Sequence, residues 1–342
     1  MSTPAVVCVG HVCLDLTPEL PSPRLPRPGE LLHAGPAVLE PGGSVGNTGL
    51  ALARLGLPTR LVARVGDDAF GRVLQDRLND AGVREADLPE VAPGDHTSYS
   101  VVFSPQGTDR SFLHCPGAND RFDPDTVPDA RLAGASVVHL GYPPAMRRCA
   151  EDGGAAVRRL FERARQAGAR TTLDFCGIDP HGWAAAIDWP AWLDRVLPVT
   201  DVFLPSRDEL AAALGTPEPG PAEVLGRGCA ALVIKDGVQG LHLHCGPDAA
   251  ARLGPAWRDA DHDAPTFDVP VGGTTGAGDV TIAGFLAGLA RHAQPRGCTD
   301  LACAAGALSV RGTGPLTDLP DLAGLEAFLA QAPPRRQPRP QP

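Results

Sequence analysis

Lysine is almost missing from this 342-residue chain. Lys235 is the only one among 30 basic residues, so the other 29 are Arg. It lies in Ile234-Lys235-Asp236-Gly237 and not in Gly-x-x-x-x-Gly-Lys-[Ser/Thr], which excludes a P-loop. A Schiff-base lysine has this one candidate. No His-Arg-Asp loop and no Asp-Phe-Gly occurs, so the protein-kinase set is excluded. Gly10 is followed by His11 and Val12, so the first apolar run leads into no Gly-x-Gly-x-x-Gly, which argues against a dinucleotide-binding oxidoreductase. The start, Met1-Ser2-Thr3-Pro4, lacks a basic region and a long apolar region, and no 18-residue apolar run follows. No membrane contact and a cytoplasmic location are therefore expected. The nine cysteines are odd in number and include no Cys-x-x-Cys, as suits free thiols in a reducing compartment. His242-x-His244-Cys245 has metal-binding residue types, but a strand would turn Cys245 away from the two histidines, so zinc is not expected.

What is present is ordinary for a large α/β protein. Hydrophobic residues make up 43% and charged residues 20%. At about 150 residues per domain, the length suits two domains or one large domain with an appendage. A net charge of −10 argues against nucleic acid or an anionic membrane as partner. Short apolar runs alternate with helical spacing. Strands are expected at 5–9, 59–65, 137–140, 171–175, 202–204 and 232–234. Helices are expected at 47–55, 70–81, 154–167, 274–289 (after a Gly-rich start) and 301–310. This alternation predicts a doubly wound, mostly parallel sheet. Two stretches break it: the Pro-rich residues 16–40, and 96–116, where strands flank Pro105-Gln106-Gly107 as a hairpin. Together they are expected to form a small β lid beside a core of residues 1–15, 41–95 and 117–330. The Pro- and Arg-rich residues 331–342 are expected to be a disordered tail.

The most informative segment is Gly272-Gly273-Thr274-Thr275-Gly276-Ala277-Gly278-Asp279, which runs into a helix. Small residues allow close backbone approach, and a helix start offers free N–H groups and a positive dipole end. Asp279 lies in the first turn, where Asp is also common for purely structural reasons. The segment resembles the C-terminal motif Asp-Thr-Thr-Gly-Ala-Gly-Asp of the ribokinase-like (PfkB-type) carbohydrate kinases. Pro41-Gly42-Gly43-Ser44-Val45-Gly46-Asn47-Thr48-Gly49-Leu50-Ala51 is similar to that family's Gly-Gly-x-x-x-Asn-x-Ala pattern. Gly10 to Asp15, Val65 to Gly71, Pro116-Gly117-Ala118-Asn119 and Lys235 to Gly240 match further family elements in order. The likeness covers about residues 5–330.

The resemblance implies a three-layer α/β/α sandwich with a β lid, transferring a phosphoryl group from ATP, with Mg2+, to a hydroxyl of a sugar or related small molecule. It implies Asp279 as general base and the amides of Gly276, Ala277 and Gly278 as the site for the charge developing on the γ-phosphoryl. Asp15, Gly42, Gly43, Asn47 and Asn119 are implied substrate residues. Asp15 can equally be a turn acid and Asn47 a helix N-cap. Ser206, Lys235, Gly237, Gly240, Thr275 and Gly278 are implied for the nucleotide, and Glu209 for magnesium through water. Asp208 and Glu209 also read as a solvated helix start.

Three departures qualify the resemblance. Ser206 and Arg207 replace the Asn and Glu usual before Glu209. Gly273 replaces an acid that contributes to a monovalent-cation site, so a K+ requirement is not carried over; carbonyls near Thr275 and Gly312 leave cation binding open. Ser44 replaces the Lys found after the Gly pair in several relatives, which favours an unphosphorylated acceptor. Arg110 reads either as a substitute anion clamp or as an exposed strand residue. A nucleoside acceptor stays open, because Phe103, Phe112, Tyr142 or Trp183 can stack on a base or serve the core. A non-catalytic sugar- or nucleotide-binding sensor on the same fold is the other alternative. An exposed lid edge predicts a homodimer through the lid.

Overall fold

The computed structural model describes residues 5–20, 24, 26–83, 90–104, 111–312, 314, 316–331 and 333–336. Arg110 and the 105–107 turn lie outside the described residues. The strands, in chain order, are β1 Ala5–Gly10, β2 Cys13–Pro18, β3 Ala37–Gly42, β4 Thr59–Val62, β5 Arg64–Gly66, β6 Glu90–Ala92, β7 Tyr99–Phe103, β8 Ser111–Cys115, β9 Ala135–Gly141, β10 Arg170–Leu173, β11 Val202–Phe203, β12 Ala231–Lys235, β13 Leu241–Cys245 and β14 Asp261–Ala264.

Eight of them form one sheet in the order β14-β13-β12-β11-β10-β9-β1-β4. The six strands from β12 to β4 run parallel, and near one edge β13 pairs antiparallel with both β12 and β14. Alternating side chains feed two cores. Val6 and Cys8 of β1, with Ala231 and Val233 of β12, face the cluster that holds Phe285 and Leu286. Val7 and Val9, with Leu232 and Ile234, face the cluster that holds Phe161, Trp192 and Phe203. Burial on both faces explains why these strands read as unbroken apolar runs. The scarce aromatics are concentrated in the second cluster, where Phe175 meets Trp189, Trp192 and Phe203 edge-on at 5.3–5.7 Å.

A second sheet, β3-β2-β7-β8, stands beside the first. The chain crosses into it through His11 and Val12. Asn119 holds that crossing like a staple: its Oδ1 accepts from the Val12 N–H at 3.2 Å and its Nδ2 donates to the Val12 carbonyl at 2.8 Å, all buried. The crossing therefore falls before Cys13, and β3 runs to Gly42, so residues 13–15 and 41–42 join the small sheet and not the core expected from sequence. Residues 19, 20 and 26–36 form no strand, which accords with prolines at 26, 28 and 36 that supply no N–H to a ladder. The expected strand over 59–65 is split in two, and the helix expected from Asn47 begins at Gly43. Part of the expected disordered tail is placed: Arg335 bridges to Phe267 and donates to the Pro265 carbonyl at 2.7 Å. No helix among the described residues is long and apolar enough to cross a membrane.

Replacing Asn119 by Ala strands a buried donor and acceptor at Val12. Urea unfolding is expected to show a loss of about 3 kcal/mol with an unchanged m-value, whereas a loss under about 0.5 kcal/mol contradicts the staple.

Candidate active site

The carboxyl ends of the parallel strands deliver the site residues. His11 follows β1, Tyr142 follows β9, Asp174 follows β10, Ser206 lies just beyond β11, and Lys235 ends β12. All line one cavity of about 1130 Å3 that runs between the main sheet and the small one. The open crevice beyond the carboxyl strand ends is where ligands bind in such sheets.

Asp279 is 3% exposed. It sits in the first turn of the helix Ala277–Ala290, whose cap, Gly276, takes a left-handed φ of 67° that frees the preceding loop to turn into the helix. The Ala277 N–H is 3.3 Å from the Thr274 carbonyl, and the next amides are first-turn donors with no helical acceptor. Two elements converge on Asp279: the helix Gly43–Arg54, through Asn47 and Thr48, and the end of β9, through Tyr142. Asn47 Nδ2 donates to Oδ2 at 3.0 Å. The Tyr142 hydroxyl lies 2.9–3.0 Å from both oxygens. Thr48 Oγ1 reaches the Asp279 carbonyl at 3.3 Å. Burial raises the pKa of Asp279 to about 6, against the lowering by Asn47, Lys235 and Tyr142.

Asn47 can make this contact because its helix, Gly43–Arg54, starts a turn earlier than expected. Its start has no side-chain cap; the Val45 N–H donates to the His11 carbonyl at 2.9 Å instead. Gly43, at φ +75°, allows this, since a Cβ there would collide with the His11 ring. Asn47 is thus mid-helix and aimed at Asp279, not an N-cap.

Lys235 Nζ is 2.5 Å from Asp174 Oδ1 and 3.7 Å from Glu209 Oε2. Desolvation alone would lower its pKa; Asp174, Glu209 and Asp279 together hold it above the ordinary value, so it is charged. Glu209 is oriented by a reciprocal cap: Ser206 N–H donates to Oε2 at 2.6 Å and Ser206 Oγ accepts from Glu209 N–H at 3.2 Å. Burial, with Glu209 and Asp279 nearby, pushes the Asp174 carboxyl up, and the Lys235 ammonium in contact opposes this, so one ammonium serves three carboxyl groups. That surplus of buried negative charge fits a divalent cation carrying water and phosphate oxygens, a ligand set in which the protein supplies only one or two carboxylates. Among the described residues, no cluster of three or more His, Cys, Asp or Glu forms a ready-made metal cage.

Of the residues singled out from sequence, Asp15, Gly43, Asn47, Ser206, Glu209, Lys235, Gly237, Gly240, Thr275, Gly276, Ala277, Gly278 and Asp279 all line the cavity. Gly42 and Asn119 do not line it. Gly42 leaves room for the Asp15 carboxyl, and the amide of Asn119 is spent on Val12. Gly272 and Gly273 N–H groups both point to the Val310 carbonyl, and no carboxylate enters from position 273. His242 and His244 pair with Asp263 and Asp261 along the sheet edge. Phe112, Tyr142 and Trp183 line the cavity, and Phe103 does not.

Sequence reasoning missed Asp174, the hydroxyl of Tyr142, and His11. The His11 ring is buried at the crossing between the sheets, 3.3 Å by Nε2 from His114 Nε2. Burial, then His114, push its pKa well down, so it is neutral. The available signals were an acid directly after a buried strand (Leu173-Asp174) and a Tyr before two prolines at a strand end.

Lys235→Met would leave Asp174, 1% exposed, without its counter-charge. Urea unfolding of the unliganded protein is expected to show a loss of about 3 kcal/mol, largely recovered in Lys235→Met/Asp174→Asn. Additive losses in the double variant would show that the two do not act as a pair.

The chain is similar to known proteins along nearly its whole length. The family model described as pfkB family carbohydrate kinase matches residues 3–322. The chain is 30% identical over 335 residues to a fructokinase of Klebsiella pneumoniae, covering 94% of this chain and 98% of that one. It is 29% identical over 334 residues to an aminoimidazole riboside kinase of Salmonella typhimurium, covering 94% of each. Among solved structures, Arabidopsis thaliana ribokinase complexed with ribose and ATP superposes with a TM-score of 0.74 at 23% identity, over 96% of this chain and 99% of that one. A Burkholderia thailandensis nucleoside kinase in complex with inosine does so with a TM-score of 0.72 at 20% identity, over 96% and 98%. The fold is ribokinase-like, and the chain belongs to the pfkB family of carbohydrate kinases.

Proposed function

We propose that this enzyme transfers the γ-phosphoryl group of ATP to a hydroxyl of a neutral monosaccharide or riboside, with Asp279 as general base. The observation that carries this reading is the buried Asp279 carboxylate, held by Asn47 and Tyr142 beside the first-turn amides of its helix. Asp279 takes the proton of the acceptor hydroxyl as its oxygen bonds to the γ-phosphorus; the β–γ bridge breaks and ADP leaves. The amides at Gly276, Ala277 and Gly278 stabilise charge on the transferring group. Thr275, Lys235, Ser206, Gly237 and Gly240 line the nucleotide end. Glu209 and Asp174 would hold Mg2+, in part through water, and the ion would neutralise phosphate charge.

The acceptor end holds Asp15, Ser100, neutral His11 and Asn47. Among the described residues, the only cations lining the cavity are Lys235, already paired, and Arg336. An uncharged polyol therefore suits this end better than a sugar phosphate or sugar acid. Phe112 and Trp183 on the wall give a riboside a planar surface and make it the second acceptor class. Movement of the small sheet over the acceptor would exclude water, as a lid does. Val38 and Leu113, 52% and 62% exposed on that sheet, favour pairing with a second copy; light scattering showing a monomer alone contradicts this.

The test is ADP release with ATP and a panel of monosaccharides and nucleosides. Asp279→Asn is expected to lower acceptor-dependent turnover by about 10^2 to 10^4-fold. ATP binding with no turnover for any acceptor would favour a sensor. Because the base must be ionised, kcat/KM is expected to rise with pH through about 6 and then level off. Tyr142→Phe removes a donor to the charged form, so its acid limb is expected to move up; an unmoved limb argues against the contact.

A further inference from the structure

The opposite end of the main sheet holds a second cavity, of about 450 Å3, lined by Ser136, Arg165, Arg170, Asp201, Arg252 and His292. Ser136 and Arg170 stand at the starts of β9 and β10, and Asp201 just ahead of β11. This is the amino end of the parallel strands, remote from Asp279. The two cavities share no lining residue.

The charges here do not balance. Asp201 is the only carboxylate on the wall. Its Oδ1 accepts from Arg252 Nε at 2.8 Å and its Oδ2 from the Thr171 N–H at 2.8 Å, so it is spent on one guanidinium. Arg165 and Arg170 reach only neutral acceptors: the carbonyls of Pro198 at 3.4 Å and Leu289 at 3.1 Å, and His292 Nδ1 at 2.9 Å. Among the described residues, neither has a carboxylate in an ion pair. Burial holds the pKa of Arg170 below its ordinary value, with Asp201 opposing, as befits an under-compensated cation.

One further group is short of a partner. Arg252, with a side chain 10% exposed, has a buried Nη2 with no acceptor. A guanidinium only donates, so His292 Nδ1 must accept from Arg170, and neutral His292 carries its proton on Nε2 as a further donor. His292 holds this place at a left-handed φ of 58°, a strained backbone for a non-glycine residue. A buried donor without an acceptor is costly, and strain persists only where the surroundings enforce it.

We propose that this cavity binds a phosphate dianion, free or as a small phosphomonoester, gripped by Arg165 and Arg170. Two uncompensated guanidiniums match two negative charges, and their forked donors match phosphate oxygens. A cavity of this size takes a small molecule and not a polymer. The overall charge of −10 makes such a cationic pocket a local feature.

The test is calorimetric titration at pH 8 with the catalytic pocket saturated by Mg-ADP, which removes phosphate binding there. Inorganic phosphate and glycerol 3-phosphate are the two arms, with chloride at matched ionic strength as control. One site is expected for at least one dianion, and the tighter arm tells free phosphate from ester. Arg165→Gln, at an exposed helix end, is expected to weaken binding roughly tenfold. Arg165→Gln/Arg170→Gln is expected to abolish it, with ADP affinity unchanged in both. No heat from either dianion up to about 10 mM, or affinities unchanged in Arg165→Gln, would overturn the proposal; the Arg165 variant alone decides if the double variant fails to fold.

Discussion

A carboxylate that must stay ionised while shut away from water is the constraint around which this pocket is built. Leaving Asp279 unsolvated costs several kcal/mol, and each charge-assisted hydrogen bond returns about 1.5–3. The return comes from far along the chain. Asn47 is 232 residues away and Tyr142 137 residues away. The carboxylate therefore ties the helix Gly43–Arg54, the end of β9 and the helix Ala277–Ala290 into one unit. The role proposed for Asp279 needs a base poised near neutrality, and that requires the burial and the donors together. Burial alone would leave the group protonated, and donors alone would leave it a weak base.

Tyr142 shows how such a unit is bought with local strain. It is one of only two tyrosines in the chain, and it takes a left-handed conformation at φ 67° directly before Pro143. Both its side chain and the following proline oppose that region. Pairing of Gly10 with Gly141 in register brings His11 and Tyr142 out side by side, with ring centroids 5.8 Å apart, so the tyrosine is fixed from the small-sheet side as well. The strain sits where a hydroxyl must meet a carboxylate, the usual place for it.

Local features of this site were legible in the sequence; features set by distant packing were not. The Gly-rich run into Asp279, and the run through Gly43 and Asn47, carry their meaning in consecutive residues. The alternation of short apolar runs with helical spacing was enough for the parallel sheet. The first helix starts earlier than its sequence predicts because its cap is the His11 carbonyl, 34 residues upstream of Val45, and not a neighbouring side chain. The family resemblance implies Asn119 as a substrate residue, but its amide is a backbone staple on Val12, 107 residues upstream, which no local pattern announces. Asp174 is silent in the sequence because nothing near it hints at Lys235, 61 residues on.

The opposing charge of the two ends of the sheet follows from the topology. In a parallel α/β unit, helices begin at the carboxyl ends of strands and finish at the amino ends, so partial positive charge collects at one end and partial negative charge at the other. The acids Asp208, Glu209 and Asp279 stand in first helical turns at the catalytic end. Arg163, Arg165 and Arg252 stand in last turns at the other, and His292 comes just after the helix led by Asp279. Dipoles worth about 0.3–1 kcal/mol each bias where charges settle. They do not explain a surplus that no neighbouring charge cancels. At the catalytic end, three carboxyl groups exceed one ammonium, and a metal with its phosphates suits the difference. At the other end, three guanidiniums exceed one carboxylate, and by the same reasoning that difference suits a dianion.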